Sequence, residues 1–345
     1  MKNIYGIKID DLKQYFLNIN EKEYKATQVF QWLYQKRIKS FDEITNIKKS
    51  VIDRLKQDFE IETLKIVAKQ EDKGVKKYLF ELKDKNKIEA VLMYHDYGTS
   101  LCVSSQVGCN MGCRFCESGR LKKVRNLETH EMVLQLLKIE EDINTRISHL
   151  VIMGIGEPFD NYDNVMDFLD IINNPQGLAL GSRHITISTC GIVPKIKEFM
   201  NTKKQYNLAI SLHAPNDELR SKLMPINKVY NLDLLMKTLK EYVLKTNRRL
   251  TFEYILLKDV NDSINCAREL SNLLKGINCY VNLIPYNETS HIEYKRSDKV
   301  MLFYDTLKKN NINVTIRKEF GSKVNAACGQ LRANFKEEQI WVMLI

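Results

Sequence analysis

The octapeptide Cys109-Asn110-Met111-Gly112-Cys113-Arg114-Phe115-Cys116 carries three thiols, spaced by three and then two intervening residues. Thiolates are soft ligands and suit zinc or an iron–sulfur cluster. A structural zinc site wants four ligands, and no fourth Cys or His lies nearby in sequence. Three thiolates on a 4Fe–4S cluster leave one iron open to an outside ligand. The bland alternative is three buried structural cysteines, and such close spacing argues against it.

Further reactive groups fall at the ends of strand-like runs. Gly154-Ile155-Gly156-Glu157-Pro158 follows Leu150-Val151-Ile152-Met153. Its glycines allow close backbone approach to a ligand or simply make a tight turn. Glu157 is an acceptor suited to the amino group of a bound amino-acid moiety. Ser188-Thr189-Cys190-Gly191 and Ser211-Leu212-His213-Ala214-Pro215 offer hydroxyl and imidazole groups that could hold a ribose or a carboxylate, although a lone His213 is more often a core histidine. Two outlying cysteines stand apart. Cys102 lies on the strand that delivers the three-thiol loop, and Cys328 lies in the small-residue segment Asn325-Ala326-Ala327-Cys328-Gly329-Gln330-Leu331. Cys190, Cys266 and Cys279 read as packing residues. Arg120-Leu121-Lys122-Lys123-Val124-Arg125 places four cations in six residues beside the thiol loop, and phosphate contact is the sharper reading of that run.

These residues need elements to hold them. Strand-like runs occur at Leu101–Ser105, His149–Met153, His184–Ser188, Asn207–Leu212, Leu250–Leu257, Tyr280–Pro285 and Asn313–Arg317. Helical patterns separate most of them, as at Glu128–Ile139, Val165–Ile172 and Asp233–Val243. That alternation predicts parallel βαβ units. Polar residues recur at many strand ends, so an open or partial α/β barrel fits better than a doubly wound sheet. Upstream, residues 1–60 read as helices with apolar faces at Leu12, Phe16 and Leu17, at Val29, Phe30, Leu33 and Tyr34, and at Ile52, Leu55 and Phe59. The cations Lys36, Arg37, Lys39, Lys48 and Lys49 of this module could grip a phosphate backbone or form a solvated face. Two strands flanking Asp84-Lys85-Asn86 read as a hairpin. Glu89 lies inside the second of them, and on pattern alone it faces solvent. The expected division is a helical domain at 1–60, a β-hairpin region at 61–94, a barrel core at 95–323 and a segment carrying Cys328 at 324–345.

The 345 residues suit one large domain with an appendage. Hydrophobic content of 44% predicts a globular core. A net charge of +10 allows a polyanionic partner, most simply nucleic acid, or just a lysine-rich surface. The first residues contain no apolar run, and no stretch is long and apolar enough to span a membrane. The expectation is a cytoplasmic protein in which eight cysteines serve metal or catalysis rather than a disulfide framework.

The motifs together resemble a known family. The three-thiol spacing, with an aromatic residue before the third Cys, is that of radical S-adenosylmethionine (SAM) enzymes. The stretch Cys102-Val-Ser-Ser-Gln-Val-Gly-Cys109-Asn-Met-Gly-Cys113-Arg-Phe-Cys116 resembles the RlmN family, the dual-specificity RNA (adenine-carbon-2) methyltransferases. So do Gly154-Ile-Gly-Glu-Pro158, Ile187-Ser-Thr-Cys-Gly191, Ser211-Leu-His-Ala-Pro-Asn-Asp-Glu-Leu-Arg220, Leu223-Met-Pro-Ile-Asn227 and Ala326-Ala-Cys-Gly-Gln-Leu331. The resemblance runs from about residue 24 to 332. The related Cfr enzymes share the cluster and both extra cysteines but act on carbon 8, giving antibiotic resistance. Their counterpart of Gly156-Glu157-Pro158 lacks the proline, so the resemblance favours carbon 2, with Cfr-like methylation as the alternative. Glu117-Ser118 replaces the usual small residues and Ile155 the usual Met. Neither departure removes a reactive group. A reading from another class is an RNA-binding protein whose cluster is only structural.

The resemblance implies a partial (open) β/α barrel of radical SAM type with a small N-terminal helical domain and a β-hairpin extension. It implies that Cys109, Cys113 and Cys116 bind a 4Fe–4S cluster. Gly156, Glu157, Ser188, Ser211, Leu212, His213 and Asn287 would bind SAM. Cys328 would carry a methyl group, Cys102 would be its partner, and Glu89 would accept a proton. The implied substrates are 23S rRNA, at the peptidyl-transferase centre, and tRNA at adenosine 37. A flavodoxin-like electron donor and a monomeric state are expected too. Adenine carbon 2 is electron-poor and cannot attack the SAM methyl group directly. One SAM would therefore methylate Cys328, and a second would yield the 5′-deoxyadenosyl radical that activates it. After addition to the adenine, attack by Cys102 on the Cys328 sulfur would release product and leave a disulfide. The base must be unstacked, so loop or single-stranded RNA is the natural substrate.

Overall fold

The computed structural model describes residues 1–317 apart from Leu121 and Ser290, so Cys328 and the apolar stretch 340–345 lie outside the described residues. Ten strands form one sheet, in which every strand neighbours the one before it in the chain. Strands β1 (Lys65–Asp72), β2 (Val75–Glu81) and β3 (Lys87–His95) are antiparallel to one another, and β3 is antiparallel to β4 (Gly98–Cys102). From β4 onward the ladder is parallel, through β5 (His149–Ile152), β6 (Ile185–Thr189), β7 (Asn207–Ser211), β8 (Leu250–Leu256), β9 (Cys279–Pro285) and β10 (Val314–Ile316). Among the described residues no ladder joins β10 back to β1. The barrel is open, as the strand rhythm predicts.

Parallel strands need long crossovers, and helices supply them. These are α4 (Thr129–Ile143), α5 (Tyr162–Asn173), α6 (Val193–Asn201), the short α7 (Asp217–Leu223), α8 (Leu232–Thr246), α9 (Ile264–Leu274) and α10 (Val300–Lys309). Their starts are written in the sequence. The side chains of Asn216, Asn231 and Ser263 accept from the backbone N–H of Leu219, Leu234 and Cys266 at 2.9, 3.0 and 3.1 Å. Asn144 and Asn247 close α4 and α8 in the left-handed conformation. The strands between them are covered on both faces. Leu208, Ala209 and Ile210 of β7, and Leu250, Phe252 and Tyr254 of β8, are wholly buried.

The hairpin region is continuous with this sheet through β3–β4. The edge strand β1 is mostly exposed or half-exposed and ends in charged residues, which discourages edge-to-edge pairing. The expected strand Leu101–Ser105 stops earlier, at Cys102. Beyond it the buried amide of Gln135 replaces a neighbouring strand, accepting from Ser104 N at 2.9 Å and donating to Ser104 O at 3.0 Å.

The N-terminal module comprises α1 (Ile9–Asn18), α2 (Tyr24–Gln31) and α3 (Lys49–Asp58). It shares one apolar core with the barrel, since Ile4, Phe30 and Tyr34 are buried in the same cluster as Leu134 and Val165. Leu17 departs from the expected helix face. It is exposed, while Leu12 and Phe16 are buried, because α1 ends at Asn18 and its last turn points outward. Two of the module's cations are committed internally: Arg37 pairs with Glu140, and Lys39 with Glu141 at 2.8 Å. A cavity of about 710 Å³ lies at this junction. Its charged lining residues include those same paired groups, and it contains none of the candidate site residues. Among the described residues, no helix is long and apolar enough to cross a membrane.

Candidate active site

The three-thiol loop leaves the C-terminal end of β4. A two-residue ladder between Gln106-Val107 and Arg125-Asn126 closes its base. Gly108 and Gly112 take positive φ values of 81° and 64°, which lets the chain fold back on itself. Two turns follow, with Cys116 N donating to Cys113 O at 3.1 Å and Gly119 N to Cys116 O at 3.0 Å. Arg114 N bonds Leu223 O at 3.0 Å, fastening the loop to the end of α7. Burial pushes the Cys109 thiol up to about 12, with the neighbouring Cys116 adding to the effect. Cys113 is held well above the ordinary thiol range by burial and then by the other two cysteines.

The donor set, three thiols on one loop, fits a three-thiolate 4Fe–4S cluster, whereas a structural zinc site wants a fourth ligand. A zinc ion about 2.3 Å from each sulfur would draw the thiols to within roughly 4 Å of one another. Among the described residues, no three His, Cys, Asp or Glu side chains come together as a single-ion site. A cube of four irons takes its thiolates farther apart. Polar atoms near the loop also await partners: Ser105 Oγ, Glu117 Oε1 and Tyr286 Oη are buried and unpaired among the described residues.

The expected SAM residues gather beside this loop at the strand ends. Glu157 is buried, accepting from Phe159 N at 3.1 Å and Cys190 N at 2.8 Å. Burial raises its carboxyl, so a bound ammonium would be a favourable partner. Ser188 Oγ and Ser211 Oγ lie 3.4 Å apart across β6 and β7. His213 has a φ of 58° and is buried, with its Nδ1 accepting from Ile255 N at 3.1 Å. Desolvation lowers the imidazole to about 3, so the ring is neutral and its proton sits on Nε2. Phe115 of the thiol loop packs edge-on against it at 4.8 Å. Leu212 is core, and Asn287 is exposed two residues beyond β9. The glycines also have an internal cause. A Cβ on Gly154 would meet Val103 O at 2.6 Å, and one on Gly156 would meet Gln106 Cβ at 2.6 Å. What these glycines approach closely is the neighbouring chain.

A second group lies on the sheet face that carries Cys102. Register pairs Lys77 with Val91 and Val91 with Cys102, and Glu89 shares a face with Val91. Lys77 Nζ and Glu89 Oε2 are 3.5 Å apart, with each residue 1% exposed. Glu89 therefore does not face solvent: it and Lys77 are buried on the sheet face that also carries the buried Val75, Met93 and Cys102. Burial raises the Cys102 thiol, while Arg317 and Lys77 oppose the rise and Glu89 adds to it. Arg317 also acts on the buried carboxyl of Glu253, which accepts from Asn282 Nδ2 at 2.9 Å. The Ser104 hydroxyl bridges the two groups, donating to Glu89 O at 2.6 Å and accepting from Ile155 N at 3.0 Å. Cys102 is unbridged, and its expected partner Cys328 lies outside the described residues.

Sequence reasoning missed Lys77, Glu253, Asn282 and the backbone role of Cys190. A polar residue within an otherwise apolar strand, as in Thr251-Phe252-Glu253-Tyr254, was the available signal. Most of the basic run is engaged in ion pairs among the described residues. Lys123 pairs with Asp160 at 2.7 Å, and Arg125 with Asp84 at 2.6 Å and Glu131 at 2.7 Å. Arg120 lies 3.4 Å from Glu117, which leaves Lys122 as the uncommitted cation of the Arg120–Arg125 run among the described residues.

Residues 2–61 match the family described as ribosomal RNA large subunit methyltransferase N-terminal domain, and residues 103–265 match the radical SAM superfamily. The chain is 52% identical over 337 residues to the "Probable dual-specificity RNA methyltransferase RlmN" of Spiroplasma citri, covering 96% of this chain and 98% of that one. It is 53% identical over 351 residues to the protein of the same description from Enterococcus faecalis, covering 98% of each. A solved radical SAM methyltransferase from Sphaerobacter thermophilus superposes with a TM-score of 0.89 at 37% identity, covering 96% of this chain and 99% of that chain.

Proposed function

This chain belongs to the RlmN family of radical SAM methyltransferases, and on that premise we propose that it methylates carbon 2 of adenine in 23S rRNA and at position 37 of tRNA. Its cofactors are a 4Fe–4S cluster and SAM. Bound, they supply both a methyl group and the radical chemistry needed at an electron-poor carbon. The chain's own residues do the rest. Cys109, Cys113 and Cys116 hold the cluster. Glu157 receives the amino group of SAM, and the neutral His213 offers a donor beside it. Cys328 carries the methyl group to the base. Glu89, with Lys77 as its cation, takes the proton lost from carbon 2. Cys102 attacks the Cys328 sulfur, forms a disulfide and frees the product. The target adenosine is unstacked to reach this interior. A flavodoxin-like protein supplies the electron, and a monomer in the cytoplasm is sufficient for the reaction.

The observation that carries this reading is the shared sheet face of Lys77 on β2, Glu89 on β3 and Cys102 on β4, the last of which leads into the thiol loop. A base and a resolving thiol are needed only where a covalent adduct must be undone. The test is mass spectrometry of modified adenosine from RNA treated in vitro, with carbon-2 and carbon-8 isomer standards. Methyl groups at carbon 2 are expected. Methylation at carbon 8, or none with cluster-loaded enzyme and a reductant, would overturn the assignment.

A further inference from the structure

Arg220 belongs to the strand-end motif, yet none of the roles assigned so far uses it. It is wholly buried, on α7. Its guanidinium donates to four acceptors. Nε reaches Leu212 O at 3.2 Å, Nη1 reaches Asn227 Oδ1 at 2.8 Å, and Nη2 reaches Cys190 O at 2.7 Å and Ser211 O at 3.3 Å. Every one of these acceptors is neutral. No carboxylate lies within 4.0 Å of it among the described residues, and Asp217 is linked to it only through the Asn227 amide, which donates to Asp217 Oδ1 at 2.7 Å. A buried charge without an ion partner is costly, and hydrogen bonds to neutral carbonyls satisfy its donors without cancelling the charge.

What surrounds Arg220 identifies its missing partner. The helix that carries it receives the backbone of the thiol loop at Leu223 O. The Cys190 peptide it grips by the carbonyl presents its N–H to Glu157. Leu223 and Cys190 pack in one buried cluster with Cys113 and Phe115. A 4Fe–4S cube held by three thiolates is net negative, and reduction adds a further electron.

We propose that Arg220 is the buried counter-charge of the cluster, a positioning residue that favours the reduced state while clamping the strand ends around it. This rests on the assignment of the cluster to Cys109, Cys113 and Cys116. A cation beside a cluster stabilises the form with more negative charge and so raises its potential.

The experiment is an anaerobic redox titration of the reconstituted holoenzyme, followed by electron paramagnetic resonance of the reduced cluster. Three variants are compared with the wild type. Arg220→Gln removes the charge, and Arg220→Lys keeps the charge but not the fork. The double exchange Asp217→Asn with Asn227→Asp keeps the guanidinium and moves a carboxylate onto it. At a fixed potential, the reduced-to-oxidised ratio should fall at least tenfold in Arg220→Gln, which is 59 mV for one electron. It should fall severalfold in the double exchange and stay within threefold in Arg220→Lys. A ratio within threefold of wild type in an iron-replete Arg220→Gln or double-exchange protein would overturn the proposal. Failure of all three variants to fold would also overturn it, by assigning Arg220 to the scaffold alone. A wild-type protein that binds no iron would instead refute the cluster assignment, a separate outcome.

Discussion

Arg220 and Lys77 are both buried cations attached to one sheet, and their surroundings differ in kind. Arg220 is clasped by neutral carbonyls at the strand ends and has no carboxylate in contact. Lys77 faces Glu89 directly, in a region where Arg317 also acts on Glu253. Arg220 has only neutral acceptors in contact, with Glu157 reached through the Cys190 peptide, whereas Lys77 has a carboxylate directly beside it. The difference follows from what each must do. A region that holds a charged cofactor carries the complementary charge in advance. On the proposed mechanism, the region that takes a proton holds its carboxylate beside a buried cation.

The largest effect should come from breaking the balanced pair. Lys77→Met removes the cation 3.5 Å from the buried Glu89 carboxylate, and breaking a buried pair costs about 3–5 kcal/mol. Urea unfolding should show it, together with loss of RNA methylation. Adding Glu89→Leu should restore most of the stability and none of the activity. If Lys77→Met proves as stable as the wild type, the two regions do not differ in the way described.

On the same face, the outlying cysteines should fail at different stages. Cys328→Ala is expected to lose both protein and RNA methylation while keeping the cluster. Cys102→Ala should still take up the methyl group and attack the base, then stall with RNA bonded to Cys328. Denaturing electrophoresis with labelled RNA should reveal the slow species, and the double variant should lack it. Normal turnover by Cys102→Ala would reduce Cys102 to a packing residue.

The strand rhythm made the barrel legible, because each βαβ unit repeats an apolar strand, a polar end and an amphipathic helix. The thiol loop was legible because cysteine spacing is local. The two cations were not. Lys77 sits in Lys76-Lys77-Tyr78, which reads as an exposed alternation, yet it is buried on the sheet face shared with Val75, Met93 and Cys102. Arg220 follows Asp217-Glu218-Leu219 and reads as a surface helix residue, yet its partner carbonyls come from the ends of two strands. Burial decided by distant pairing leaves no local pattern.

A smaller effect should appear in the pH dependence of stability, from His213 on the strand-end side. Its imidazole is lowered to about 3, against about 6.5 when unfolded. The unfolded chain therefore binds a proton that the folded one refuses. This penalty is absent above about pH 6.5 and grows as pH falls towards 3, at about 1.4 kcal/mol per pH unit. His213→Asn should remove that slope between pH 4 and 6. Asparagine tolerates the left-handed φ of 58°, and its side-chain oxygen can still accept from Ile255 N. An unchanged difference in slope would mean that His213 is not shielded from protonation.

The smallest effect concerns the surface, where the contrast between committed and uncommitted charge recurs. Lys123 is held at 2.7 Å by Asp160, which also accepts from Gln106 Nε2 at 2.8 Å, so its charge is occupied in closing the base of the thiol loop. Arg125 is similarly shared between Asp84 and Glu131. Lys122 is exposed between them, with no acidic partner among the described residues. If the loop meets RNA, Lys122 is the residue that releases a counterion. Each phosphate contact contributes about 0.7–0.9 to the slope of log K against log salt concentration. Lys122→Ala should flatten the slope by about that amount. Lys123→Ala should leave the slope nearly unchanged and instead loosen the loop, lowering iron content in reconstituted protein. Binding isotherms at four salt concentrations, with a tRNA anticodon stem-loop as probe, separate the outcomes. Equal flattening by both variants would show that the Asp160 pair opens on binding, and no flattening by either would place the RNA elsewhere on the surface.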